Sequence, residues 1–292
     1  MVHERARAGA LSGVATGRTT FATRPRPDAS AGAYPELELA NVGMTFQSRS
    51  VTTQALTGID LAIGREEFVA IVGQSGCGKT TLLRILAGLM RPTEGEVRTA
   101  GRPLWAGDAR NRETLGKLGL VFQDANLFPW YSVEDNVALP LKLRGVGAAE
   151  RRAKAHELCR LVGLTGFERS YPRELSGGMR QRAAIARALS YRPEVLLMDE
   201  PFGALDALTR DKMNLELQSI AAATGATVVL VTHSINEAVF LADRIVLLSP
   251  RPGRIRSVSD VPFERPRSLD LLAEPEFQAI ARDLRHHLVE GI

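Results

Sequence analysis

One stretch, Phe68 to Leu86 (FVAIVGQSGCGKTTLLRIL), restricts what this chain can fold into more than any other. An apolar strand-like run enters a glycine loop and leaves as a helix with apolar residues at helical spacing. Gly73, Gly76 and Gly78 lack Cβ atoms, so the backbone can turn successive N–H groups inward on an anion. Lys79 adds a point charge, and Thr80 stands where a hydroxyl can ligate Mg²⁺. Thr80, Thr81 and Leu82 open the helix, whose positive dipole end faces the same phosphates. Gln74, Ser75 and Cys77 complete the loop, and the whole matches GxxxxGK followed by Thr. A chance lysine beside a glycine turn would lack the strand before it and the helix after it. The stretch therefore predicts binding of a nucleoside triphosphate.

The rest of the composition narrows the setting. With 292 residues and 45% hydrophobic content, the chain can build one large core or two modest ones. Apolar runs such as Thr227 to Val231 fall far short of the roughly 18–20 residues that span a bilayer, so the chain is not expected to cross a membrane itself. Two cysteines, Cys77 and Cys159, give neither a disulfide framework nor metal-ligand spacing, which fits a reducing cytosol. The net charge of +4 is partly local: Arg5, Arg7, Arg18, Arg24 and Arg26 face only Glu4 and Asp28 in the first 34 residues. No basic stripe interleaved with aromatics appears, and nucleic acid is not expected as a partner.

Residues 1–34 show no helical or strand periodicity and read as a disordered tail, a transit peptide or the product of an upstream start. From Leu37, alternating and β-branched residues predict strands around the polar run QSRSVTTQ, forming a small antiparallel sheet beside the nucleotide site. Phe46 closes the first of them; a lone aromatic is more often core, although one here could stack on a purine. Turn residues Pro92, Gly95 and Gly101 precede a buried strand, Leu118 to Gln123, and a helix-rich segment from about Val137 to Glu168 reads as a separate insertion. Ser176, Gly177 and Gly178 then stand before a helix, a second anion-receptive N-terminus in which one glycine is superfluous for a cap.

Val195 to Met198 lead into Asp199 and Glu200. Paired carboxylates at the end of a buried strand call for a cation, and Mg²⁺ beside phosphates supplies one, with Glu200 placed to activate water. Asp206 follows in PFGALD. His233 ends the strand Thr227 to Val231, at the carboxyl edge where α/β sheets bind ligands. After the strand Arg244 to Leu248 and the turn SPRPGRI, Phe277, Ile280, Leu284 and Leu288 share one helical face.

The phosphate loop, Gln123, LSGGM, LLMDEP, GALD and His233, in this order, closely resemble the nucleotide-binding subunit of ATP-binding cassette (ABC) transporters from about Glu36 to Ile255. The resemblance implies an α/β P-loop NTPase cassette with a RecA-like core, a flanking antiparallel β subdomain and a helical subdomain at about 130–175. The cassette would cover 35–258, with a helical extension over 259–292. It further implies that Phe46 stacks on adenine, Lys79 and the loop amides from Gly73 to Thr81 hold ATP, and Thr80, Gln123 and Asp199 serve Mg²⁺. Glu200 would be the general base and His233 would contact the γ phosphate. Ser176 to Gly178 would clasp the nucleotide of a second copy, with Asp206 at that seam. The implied partners are a permease and, indirectly, an extracytoplasmic solute-binding protein, at the cytoplasmic face of the inner membrane. NLFPW, DEPFGALDALTR and SPRPGRI look like the nitrate, sulfonate and taurine branch of bacterial importers. Two positions depart from the pattern: Glu66 stands where the family usually has Gly, and Met179 replaces the commoner Gln. The remaining classes are a cassette ATPase acting on DNA or the ribosome, which would need a coiled coil or a second cassette, and a phosphotransferase, for which LSGGM would be idle.

Overall fold

The computed structural model describes residues 34–48 and 50–289. The tail expected over residues 1–34 lies outside them except for Tyr34. Leu37–Gln47 (β1) and Thr52–Ile63 (β2) form an antiparallel hairpin. Its loop is shorter than the polar run suggested, because Thr52, Thr53 and Gln54 pair with Gln47, Phe46 and Thr45. Phe68–Val72 (β3) passes through the glycine loop into Lys79–Leu86 (α1). Glu94–Thr99 (β4) returns beside β1, followed by Arg102–Pro103 (β5) and a miniature hairpin, Trp105–Ala106 (β6) with Ala109–Arg110 (β7). The one-turn helix Arg112–Leu115 (α2) leads to Leu118–Val121 (β8).

Val133–Leu143 (α3) and Ala148–Leu161 (α4) come next, then Gly177–Leu189 (α5), Val195–Asp199 (β9) and Ala207–Thr224 (α6). The chain continues as Thr227–Thr232 (β10), Ile235–Leu241 (α7), Arg244–Leu248 (β11), Ile255–Asp260 (β12) and Pro275–Val289 (α8).

A six-stranded sheet runs in the order β12-β11-β3-β10-β9-β8. Five strands are parallel and β12 is an antiparallel edge. Parallel strands covered on both faces must be apolar throughout, which accounts for their unbroken hydrophobic runs. Alternate residues divide between two cores. Ala70, Val72, Leu196, Met198 and Leu230 face Ala184 of α5, Leu217 of α6 and Phe277 of α8. Val69, Ile71, Leu197, Val229 and Val231 face Leu82 and Leu86 of α1 and the β1–β2 hairpin.

Register sets the functional edge. Thr232 lies opposite Val72, and Val231 lies opposite Asp199, so β3, β9 and β10 finish level with one another. The glycine loop, Asp199 with Glu200, and His233 therefore all leave the sheet at its carboxyl edge. The helical segment is less separate than its sequence suggested: Val133, Val137, Leu158 and Cys159 join the same buried cluster as α5. Fully buried Asn136 ties the preceding loop to α3, accepting from the Phe128 amide (2.7 Å) and donating to the Tyr131 carbonyl (3.1 Å). The amphipathic C-terminal helix buries Phe277, Ile280, Ala281 and Leu284.

Candidate functional site

The glycine loop has a shape that side chains would block. Gly78 sits at φ 103 and Gly76 at φ 78, in the left-handed half of the map. A Cβ on Gly78 would stand 2.7 Å from Leu56 Cδ2, and one on Gly73 would stand 2.6 Å from Cys77 Sγ. Gly78 caps α1 without a side-chain hydrogen bond and no acidic residue stands in the first turn. Among the described residues no side chain caps the first amides of α1, which suits an incoming anion. Lys79, 6% exposed, donates to the Gly73 carbonyl (2.8 Å) and the Gln74 carbonyl (3.1 Å).

Above the loop lies a pocket of about 450 Å³ lined by Phe46, Lys79, Thr80, Thr81, Glu200 and Arg251, with Ser75, Gly76 and Gly78 among its remaining walls. Phe46 is 39% exposed at the rim, so its bare sequence reading as a core aromatic is corrected. A larger cleft, about 870 Å³, is lined by Glu36, Arg65, Lys154, Arg192 and Glu194 and contains none of the loop residues. Size alone would select it; the converging phosphate chemistry selects the smaller pocket.

Thr80 Oγ1 donates to Asp199 Oδ1 at 3.2 Å, joining the start of α1 to the end of β9. Burial raises the Asp199 carboxyl, and the charge of neighbouring Glu200 pushes the same way. A divalent cation would relieve both effects. Among the described residues no three His, Cys, Asp or Glu side chains form a cage. That donor set fits Mg²⁺, which takes one or two protein oxygens and completes its shell with phosphates and water. Glu200 adopts φ 44, a left-handed conformation that costs a residue with a Cβ about 1 kcal/mol or more. Its amide donates to the Val231 carbonyl (2.8 Å), and its Oε2 meets His233 Nδ1 at 2.9 Å.

Other predicted residues lie apart from this pocket. Gln123 is exposed after β8 and does not line it. Ser176 caps its own helix, accepting from the Met179 amide at 3.3 Å. Gly178 has a packing reason that the sequence reading lacked: a Cβ there would come within 3.2 Å of the Thr209 methyl. Asp206 caps α6, accepting from the Thr209 hydroxyl (2.7 Å) and amide (3.0 Å), bonds that lower its carboxyl's pKa. The Cys77 side chain points into the core, so only its backbone belongs to the loop. Two contacts had no sequence signal that singled them out. Arg251 reaches the loop from the turn after β11, and Gln74 Nε2 donates to the Leu288 carbonyl of α8 at 2.8 Å.

A glycine-cradled anion site, a hydroxyl–carboxylate pair for a cation and a carboxylate–imidazole pair at the carboxyl edge of one set of parallel strands define a P-loop NTPase. Comparison with known proteins narrows this class. A family profile described as ABC transporter matches residues 56–203. Taurine import ATP-binding protein TauB of Burkholderia pseudomallei is 48% identical over 77% of this chain and 84% of its own length. An uncharacterized ABC transporter ATP-binding protein of Methanocaldococcus jannaschii, MJ0412, is 47% identical over 80% of this chain and 84% of its own. The dimeric, post-hydrolysis structure of the ATP-binding cassette MJ0796, bound to ADP and Pi, matches with a TM-score of 0.69 at 36% identity, covering 78% of this chain and 100% of that one. The chain belongs to the ABC transporter family, as one of its ATPase subunits.

Proposed function

We propose that two copies of this subunit close head to tail over two ATP molecules and drive import of a small anionic solute through a separate permease. The observation that carries the reading is the convergence of Lys79, Thr80 and Glu200 on one pocket, with Glu200 hydrogen-bonded to His233. Phe46 stacks on adenine at the rim, and Lys79 with the loop amides binds the β and γ phosphates. Thr80 and Asp199 hold Mg²⁺, with Gln123 as a further oxygen donor. When bound, Mg²⁺ neutralises charge on the transferring phosphoryl group. Glu200 takes the proton of the attacking water, and His233 orients that carboxylate and contacts the γ phosphate. Ser176, Gly177 and Gly178 close on the nucleotide of the second copy, with Asp206 at the seam, a role that their position outside the chain's own pocket supports. The dimeric state of the MJ0796 cassette supports the pairing.

Relatives named for taurine import support a nitrate, sulfonate or taurine type of solute. Among the described residues no helix is long and apolar enough to cross a membrane. The import ATP-binding names of the relatives support a subunit held at the cytoplasmic face by its permease. The permease docks on the segment after Gln123, where Phe128 is 37% and Trp130 67% exposed on a loop held by Asn136. An extracytoplasmic solute-binding protein delivers the cargo to the permease. Loss of the γ phosphate removes a bridge that exists only in the closed pair, so hydrolysis reopens it.

Glu200→Gln tests the chemistry. Nucleotide binding and dimer closure should persist while turnover falls at least about a hundredfold, the scale of a lost general base. Undiminished ATPase activity in that variant sinks the assignment. Affinity capture from detergent-solubilised membranes tests the transport half: a polytopic membrane partner should copurify, and nucleic acid or ribosomes in its place would overturn it.

A further inference from the structure

The turn Ser249 to Arg254, SPRPGR, marks the importer branch but has no part in the chemistry above. Its conformation is nonetheless closely determined. Ser249 donates its amide to the Arg254 carbonyl (2.9 Å), and its Oγ accepts from the Arg254 amide (3.0 Å). Gly253 exchanges two backbone hydrogen bonds with β2, to the Ala55 carbonyl (2.9 Å) and from the Thr57 amide (3.1 Å). A Cβ on Gly253 would stand 2.2 Å from the Cys77 carbonyl oxygen. Only glycine lets the turn lie this close to the phosphate loop.

Arg251 is carried on that platform. Its Nε and Nη2 both donate to the Gly76 carbonyl, at 3.3 Å and 3.2 Å, and it lines the same pocket as Phe46, Lys79 and Thr80. Among the described residues it forms no ion pair. Lys79 covers the Gly73 and Gln74 carbonyls in the same way. Two cations from opposite ends of the chain therefore offset the negative ends of three loop carbonyls, oxygens that would otherwise repel a phosphate. A guanidinium has donors to spare after one carbonyl, and its planar fork suits phosphate oxygens.

We infer that Arg251 is a nucleotide-binding residue whose guanidinium binds the polyphosphate chain as the second positive charge of the phosphate loop. The inference rests on the ATP-site reading and deepens it. Calorimetric titration of the purified full chain with ADP and with inorganic tripolyphosphate tests it; ADP lacks the γ phosphate that bridges two copies. Arg251→Ala should weaken both ligands about tenfold, the lower end for a hydrogen bond to a charged group at an exposed position. Arg251→Lys should fall between, keeping the charge and losing the fork. Arg254→Ala, a neighbouring exposed cation, should bind both as the parent does.

Unchanged affinity for both ligands in Arg251→Ala overturns the inference. Weaker ADP binding with unchanged tripolyphosphate binding also overturns it, because the contact would then be to base or ribose. Lys79→Ala separates this failure from a deeper one. If Lys79→Ala binds ADP as tightly as the parent, the ATP site itself is misplaced; if only Arg251→Ala is silent, the site stands without Arg251.

Discussion

Two glycine-bearing helix starts, at α1 and α5, resemble each other in sequence and differ in what the fold has already done with them. At α1 the cap is Gly78, with no side chain to satisfy the first amides, and the loop before it is shaped around a space. At α5 the cap is Ser176, whose hydroxyl is already engaged by the Met179 amide and which stands exposed outside the pocket. On the reading proposed above, one start is an anion site complete within the chain, and the other is an ordinary cap that acquires a ligand only if a second molecule brings one. A single chain would then hold a loading site and half of a closing device, and turnover should require two.

Exchanging glycine for alanine at the two starts should separate them most widely. Gly78→Ala forces a side chain into φ 103 and against Leu56, so it should lower stability by about 3 kcal/mol and abolish ADP binding. Gly178→Ala only crowds the Thr209 methyl at 3.2 Å, and alanine is the better helix former by about 1 kcal/mol. Its stability should stay within about 1 kcal/mol of the parent in chemical denaturation. Equal losses at the two positions would erase the contrast.

Ser176→Asp asks whether α5 works on its own chain or on another. Aspartate caps a helix as well as serine, so the fold should hold within about 0.5 kcal/mol. ADP affinity of the isolated chain should not change, since Ser176 does not line the pocket. A carboxylate set against the partner's γ phosphate should cut ATPase turnover about a hundredfold, the effect of a like charge in a desolvated site. Full turnover in Ser176→Asp removes the trans role.

How much of this was legible beforehand follows from how local each cause is. The five parallel strands of the central sheet were readable because burial on both faces leaves them apolar, and the phosphate loop because its geometry demands glycine at fixed spacing. The antiparallel edge β12 was not read: its sequence, IRSVSD, is mostly polar and only half-buried, so no apolar run marks it. The Glu200–His233 contact was half legible: each residue ends a strand, but their 2.9 Å approach depends on β9 and β10 being neighbours in register. Phe46 could not be read locally, since exposure of a strand-end aromatic is set by what does not cover it. Arg251 and the Gln74–Leu288 contact were invisible for a related reason. Both span more than 170 residues of sequence and arise from tertiary packing that no local period records.

Glu66, the departure from the family pattern in the turn before β3, gives the smallest effect and a defined sign. It sits at φ 57, so the turn keeps the left-handed conformation that a glycine would take, now at the expense of a Cβ. The turn is held by backbone and not by the Glu66 side chain: its amide donates to Thr227 Oγ1 (2.9 Å), and its carbonyl accepts from Arg265 (3.4 Å). Glu66→Gly keeps both bonds and relieves the strain, while the looser unfolded chain returns part of the gain. The net should be a stabilisation of about 1 kcal/mol, read as a rise of about 2–4 °C in thermal midpoint. ADP affinity should be untouched, because the turn lies at the amino edge of β3 and the phosphate loop at its carboxyl edge. A lower midpoint in Glu66→Gly would show that the exposed carboxylate contributes more than the backbone strain costs, and a changed ADP affinity would tie the two edges of the sheet together.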